Sequence, residues 1–174
     1  QTNYTVEAKT TSEIFSTGSV AYEVPLFQRA YSWGKDEVDS LLDDLFGDGP
    51  MSGTTPDDET QYFLGSIVVA NTEGHGRLQV LDGQQRLTTL SLILAVIAAR
   101  LSQLRDPNVA DIQRHLQAGK AGLKKEPILQ MQEQDHELYR TLLNDALSEI
   151  PKHLAKTRLA LAVKRIRDYL EAHL

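Results

Sequence analysis

The chain has 174 residues, 41% of them hydrophobic, which fits one folded domain with a real core and excludes a disordered chain. Its 18 Lys and Arg against 24 Asp and Glu leave a net charge of −6 and a pI of about 5.3. That balance argues against a free-standing, non-specific DNA binder, which would be basic. There is no cysteine, so disulfides and thiolate metal sites are excluded and a reducing cytoplasm is the simplest setting.

The polar start, Gln1-Thr2-Asn3-Tyr4, carries no signal peptide, and the missing initiator methionine reads as a fragment of a longer protein. Residues 6–18 read as a short helix or loop anchored by Ile14 and Phe15. Val20 to Val24 alternates weakly, as a strand ending at Pro25. Pro25 to Trp33 is a loop dense in aromatic and polar side chains, with Tyr31 and Trp33 as core anchors. Ser32 is then placed to cap a helix running to about Phe46, with Val38, Leu41, Leu42, Leu45 and Phe46 on one face. Glu37, Asp39, Asp43 and Asp44 cover the other face as a solvated surface.

Gly47 to Gln61 gathers Gly, Pro, Ser, Thr and Asp into a surface loop. Tyr62 to Ala70 is rich in β-branched residues, Asn71 to Gly76 is a turn, and Arg77 to Leu81 returns, which predicts a hairpin. A helix from Gly83 to about Arg105 follows, apolar on most sides and therefore central. Its apolar stretch, Leu87 to Leu101, is too short and too interrupted for a membrane span. The remainder predicts a helix within 106–125, a short strand at Pro127 to Met131, a helix from Asp135 (its N-cap) to Leu147, and a last helix from Leu154. That last helix turns Leu159, Val163, Ile166 and Leu170 inward and carries Lys152, Lys156, Arg158, Lys164, Arg165 and Arg167 on or beside it. The five histidines are scattered, with no pair at metal-ligand spacing.

Two readings fit Asp82-Gly83-Gln84-Gln85-Arg86. In the first, Asp82 is an N-cap, Gln85 completes a capping box and Arg86 is solvated. In the second, the helix start is a phosphate seat: free N–H groups and the positive dipole end meet Arg86, and Gly83 lets a ligand approach the backbone. A glutamine would then orient a water, Thr88 and Thr89 would add hydroxyls, and Gln28 and Arg29 would form a polar wall of the same pocket. Asp82 would repel a triphosphate unless it held Mg²⁺ or remained a cap.

Three segments in order carry a resemblance: Val24-Pro25-Leu26-Phe27-Gln28-Arg29-Ala30-Tyr31-Ser32-Trp33, Phe63-Leu64-Gly65-Ser66-Ile67-Val68, and Asp82 through Leu90. Together they resemble the N-terminal domain of GmrSD-type, modification-dependent restriction enzymes, shared with the phosphorothioate-sensing nuclease SspE. Leu129 to Leu143, with Asp135, is similar to a later helical part of the same family. The resemblance implies an α+β fold of the ParB/sulfiredoxin type, a small mixed sheet packed by helices, with a core over 1–125 and a helical extension over 126–174. It ties Asp82, Gly83, Gln84, Gln85 and Arg86 to binding and hydrolysis of NTP, commonly GTP with Mg²⁺. It ties Pro25, Gln28 and Arg29 to sensing of modified DNA and to coupling with hydrolysis. Phe27 stands where the family commonly has Tyr, so a contact through a phenol is lost and the modification sensed here is expected to differ.

The implied partners are NTP, modified DNA met through the longer protein, a C-terminal nuclease domain or subunit, and a second copy of the chain, with no membrane. The expected role is an NTP-hydrolysing sensor module of a cytoplasmic anti-phage restriction nuclease. The alternatives are a modified-DNA binding module without NTPase activity, and a domain that itself cleaves phosphodiesters.

Overall fold

The protein's computed structural model describes residues 4–16, 20–47, 65–72, 76–118 and 126–173. In chain order these form β1 (Tyr4–Lys9), α1 (Thr11–Ser16), β2 (Tyr22–Glu23), α2 (Lys35–Phe46), β3 (Ile67–Thr72), β4 (Leu78–Asp82) and α3 (Gln84–Gln103). There follow α4 (Val109–His115), β5 (Gln117–Ala118), β6 (Glu126–Pro127), β7 (Leu129–Gln130), α5 (Glu133–Asn144), a 3₁₀ turn at Lys152–Leu154, and α6 (Arg158–His173). Most of the loop expected over 47–61, the start of the strand expected at 62–64, His75 and the glycines at 119 and 122 lie outside the described residues.

The fold is α+β, as expected. Five strands form one sheet in the order β1-β3-β4-β2-β7, and β5 pairs with β6 in a separate two-stranded ladder. β3 is antiparallel to β1 and β4, whereas β2 runs parallel to β4 and β7, so the sheet is mixed. The hairpin read from the two β-branched runs is the β3–β4 pair. β7 joins the sheet through Tyr22 N–H on Ile128 O (2.7 Å) and Val24 N–H on Gln130 O (2.9 Å). Arg77 ties the same region together by donating to the carbonyls of Tyr22 and Pro127.

Of residues 6–18, expected as a short helix or loop, Thr11–Ser16 form α1 with Ile14 buried, but residues 6–9 belong to the strand β1. Residues Thr5 to Ala8 are exposed, so this edge strand has no period-two burial for a sequence pattern to show. Its stability comes from the ladder with β3, running from Tyr4 opposite Thr72 to Lys9 opposite Ile67. The helix expected within 106–125 is one short helix, Val109–His115, after which the chain turns into β5.

α3 is the central rod. Leu87, Leu92 and Val96 are buried in one core with Ile67, Val69 and Val80 of the sheet and with Leu138, Leu142, Val163 and Ile166 of α5 and α6. α4, α5 and α6 all pack on α3, and α2 packs on α6. By length and composition α3 is long and apolar enough to cross a membrane, but 61% of its most apolar window is buried here, as in a core helix.

Four polar residues of α3, Gln85, Thr88, Thr89 and Ser91, are buried too, and each is matched. Ser91 Oγ lies 2.7 Å from the Tyr139 hydroxyl, and Thr89 Oγ1 lies 2.8 Å from the Tyr31 hydroxyl. Among the described residues no buried side-chain polar atom lacks a partner. Such a satisfied network specifies one arrangement of helices, because any slip would strand its members without hydrogen bonds.

The helix caps differ from the sequence expectations. α2 begins at Lys35 with Gly34 as N-cap, and Glu37 Oε2 accepts the Gly34 N–H at 3.0 Å; Ser32 is exposed and lies outside the helix. α5 begins at Glu133 with Gln132 as N-cap, because the Asp135 carboxylate is drawn to the Tyr31 N–H (3.1 Å) instead. α3 has Gly83, not Asp82, as N-cap: Asp82 is still in β4, opposite Val68.

Gly83 stands at φ +89°, where a Cβ would lie 2.5 Å from Ile67 Cδ1. Gly83→Ala is therefore expected to destabilise the fold by about 1–3 kcal/mol, lowering Tm by several degrees in scanning calorimetry. An unchanged Tm would mean that this backbone contact carries no strain.

Candidate functional site

Three segments that are far apart in sequence meet at the N-terminal end of α3. The first is the end of β4. Val68 pairs with Asp82 but Val69 pairs with Val80, so Leu81 is an extra, bulged residue. A bulge turns the strand and leaves a backbone group without a ladder partner. Here the Leu81 carbonyl accepts a hydrogen bond from Gln28 Nε2 at 3.0 Å. Gly83, which has no side chain to cap with, then turns the chain into α3, and among the described residues no side chain caps the first turn of that helix.

The second segment is Gly65-Ser66, just before β3. Gly65 has φ +86°, and a Cβ there would lie 2.5 Å from Arg86 Nη1. The Arg86 guanidinium thus lies across the Gly65 backbone. Each left-handed glycine makes room for a side chain of the other segment: Gly83 for Ile67, and Gly65 for Arg86.

The third segment is the loop from Pro25 to Trp33. Gln85 is 8% exposed, and its amide holds this loop: Oε1 accepts the Ser32 N–H (2.8 Å) and Nε2 donates to the Ala30 carbonyl (3.1 Å). Gln84 Nε2 donates to Gln28 Oε1 at 3.1 Å. Tyr31 is buried, which pushes its phenol up to about 12. From the far side, Gln132 Nε2 donates to the carbonyls of Pro25 (3.0 Å) and Gln28.

The sequence-derived candidates therefore separate by position. Arg86 and Gln84 are half-buried at the tip of α3, and Asp82 and Arg29 are exposed. Among the described residues no ion pair involves Arg86 or Arg29. Gln85 does not close a capping box, since both ends of its amide are held by the loop. Thr88 is 1% exposed and its hydroxyl donates to the Gln84 carbonyl (2.7 Å), so it is directed into the fold rather than to the face that Arg86 presents. Gln28 is at the tip, but Pro25 and Phe27 are not.

Pro25 and Phe27 line a cavity of about 860 Å³ on the other side of the loop, together with Gln132, His136 and the carboxylate-bearing Glu133 and Glu137. Leu26 and Phe27 stand 87% and 72% exposed at its edge. The α3 tip and this cavity are two surfaces, with Gln28 and Gln132 between them. His136 Nδ1 accepts the Met131 N–H at 3.3 Å, which requires an unprotonated Nδ1. Burial, and then the charges of Arg77 and Arg140, hold this histidine below its ordinary value. Among the described residues no three His, Asp or Glu side chains are grouped to hold a metal ion.

Sequence reasoning missed Gly65 as the seat of Arg86, and Gln132 as the second support of the loop. Both act across long sequence distances, and no local pattern announces them.

A family model described as the GmrSD restriction endonuclease, N-terminal domain, matches residues 11–171. The chain belongs to this family. The match covers the α3 tip, the loop and cavity, and α5 and α6, so the GmrSD N-terminal domain here includes the helices that pack on α3. No curated protein matches the chain.

Two outcomes follow from this geometry. Gln85→Leu leaves the Ser32 N–H and Ala30 carbonyl without their partner, and urea unfolding is expected to show a loss of about 1–3 kcal/mol; full retention of stability would remove Gln85 as the holder of the loop. His136 has a folded pKa below the ordinary 6.5, so its stabilising contribution is complete above that value and is lost as pH falls through the folded one. Between pH 7 and pH 5, His136→Gln should therefore lose less Tm than the parent chain, and equal losses would exclude this role.

Proposed function

We propose that this GmrSD N-terminal domain is the NTP-binding and NTP-hydrolysing sensor module of a modification-dependent restriction nuclease in anti-phage defence, with GTP as the expected nucleotide. The observation that carries the reading is the α3 tip. An uncapped helix start and an arginine without an ion-pair partner among the described residues stand side by side, next to a glycine turn. Free backbone N–H groups, the helix dipole and a guanidinium fork form a phosphate seat.

In this reading Arg86 and the first turn of α3 hold phosphate oxygens, and Gly83 keeps the approach open. Gln84 contacts the nucleotide or the attacking water, while Gln85 positions the loop. Asp82 is the exposed carboxylate beside the turn and would hold Mg²⁺, whose charge offsets that of the phosphates. Arg29 closes the seat from the loop. Hydrolysis then depends on positioning and electrostatic stabilisation rather than on a covalent intermediate.

The loop also supports a sensing role. Pro25 and Phe27 reach the cavity, and Gln28 reaches Gln84, so a ligand at one surface bears on the other through one hydrogen-bonded segment. The exposed Leu26 and Phe27 favour a second reading: the cavity meets modified DNA and the domain has no NTPase activity.

A thermal-shift series with each of the four NTPs and Mg²⁺ separates the two, because a ligand that binds the folded state raises its Tm. A selective rise with one NTP is expected. Arg86→Ala should weaken that binding by about 10–100-fold in calorimetry, the loss of one charge-assisted fork, with Tm nearly unchanged. Undiminished affinity in that variant would remove the phosphate seat, and DNA preference without any NTP effect would select the second reading.

A further inference from the structure

The charge of this acidic chain is segregated. From Ile150 to Arg167 there are six cations and no carboxylate, within a chain whose net charge is −6. Two of the six serve the fold: Arg167 donates to the carbonyls of Ala146 (2.6 Å) and Ser148 (2.9 Å), and Arg165 pairs with Asp39. The other four, Lys152, Lys156, Arg158 and Lys164, are exposed, and among the described residues none is in an ion pair.

Arg158 and Lys164 line a groove of about 290 Å³ between α6 and the start of α2, where Trp33 and Lys35 form the facing wall. Arg158 is seated against the backbone of Gly34, where a Cβ would lie 3.3 Å from its Nη1. Asp168 also lines the groove, and Asp39 beside it is neutralised by Arg165 and Lys35. Trp33 ends the loop whose other end lines the Pro25–Phe27 cavity, so groove and cavity are joined by one segment.

We propose that this groove and the basic start of α6 bind the phosphate backbone of duplex DNA, whatever its sequence or modification, and so hold the duplex against the sensing loop. The inference rests on the reading that the domain meets DNA. It does not depend on nucleotide binding. Charge complementarity selects the occupant: phosphate contacts need only cations and donors, and they set position without reading bases. Arg158 and Lys164 are six residues apart on α6, about 9 Å along its axis, which is the rise of two to three nucleotide steps. A stable protein partner would instead need an apolar centre, and the groove's exposed apolar side chain, Leu161, is half covered.

The test is fluorescence anisotropy of a short labelled, unmodified duplex titrated with the chain over a salt series. The parent chain should bind, and its Trp33 emission, the only tryptophan signal in the chain, should change on binding. The triple variant Lys156→Ala, Arg158→Ala, Lys164→Ala should bind about 10–100-fold more weakly, with the salt slope reduced by about three. Arg114→Ala, an exposed cation on α4, should match the parent. If the triple variant does not fold, Lys156→Ala and Lys164→Ala singly should each reduce the slope by about one. Absence of DNA binding by the parent chain overturns the proposal, even where an NTP still raises Tm. So does an unaltered slope in the variants, or equally tight binding of polyglutamate that the same variants lose.

Discussion

One buried amide holds the candidate site together. Gln85 projects from the first turn of α3 and takes both a donor and an acceptor from the Ala30–Ser32 backbone. A loop rich in aromatic and polar side chains has many conformations of similar energy, and two hydrogen bonds from a rigid core helix select one of them. Without that selection Gln28 would not reach Gln84 or the bulged Leu81 carbonyl, and Tyr31 would not reach Thr89. The rigidity of the site is thus borrowed from α3, whose own position is fixed by the helices and sheet around it.

The two left-handed glycines solve a different problem, that of close approach. Ile67 presses on Gly83 and Arg86 lies over Gly65, so the segment before β3 and the turn after β4 interlock through missing Cβ atoms. This explains why glycine occurs in both segments, and why the Asp82-Gly83 turn is not merely a helix cap. The N-cap of α3 is thus a glycine, and among the described residues no side chain caps its first turn. A helix start in that state retains unpaired N–H groups, which is the electrostatic condition for receiving an anion.

Charge is organised on a larger scale. The chain is acidic in total, yet among the described residues four cations without an ion pair, Lys152, Lys156, Arg158 and Lys164, lie at or near the start of α6, and two of them, Arg158 and Lys164, line a groove with Trp33. Net charge therefore says little about which surface meets a polyanion; what matters is which cations the fold leaves unpaired. Arg165 and Arg167 are as basic in sequence as Arg158, but they are committed to Asp39 and to backbone carbonyls.

Much of this was legible in the sequence. The β3–β4 hairpin, the inward faces of α5 and α6, that of α2 except for the exposed Phe46, and the central burial of α3 all follow from local periodicity and turn chemistry. These signals work because they report on burial within a few residues. Other features are decided only by contacts between distant segments: β1 as an exposed edge strand, the parallel pairing of β2 with β7, the move of the α3 cap from Asp82 to Gly83, the inward turn of Thr88 and the separation of Phe27 from Arg86. In each case a residue had two locally acceptable partners, water or its own backbone on one side and a remote segment on the other. The chain by itself determined which residues were polar, flexible or apolar; tertiary packing decided which of those partners each one took, because only a folded core brings the remote one within hydrogen-bonding distance.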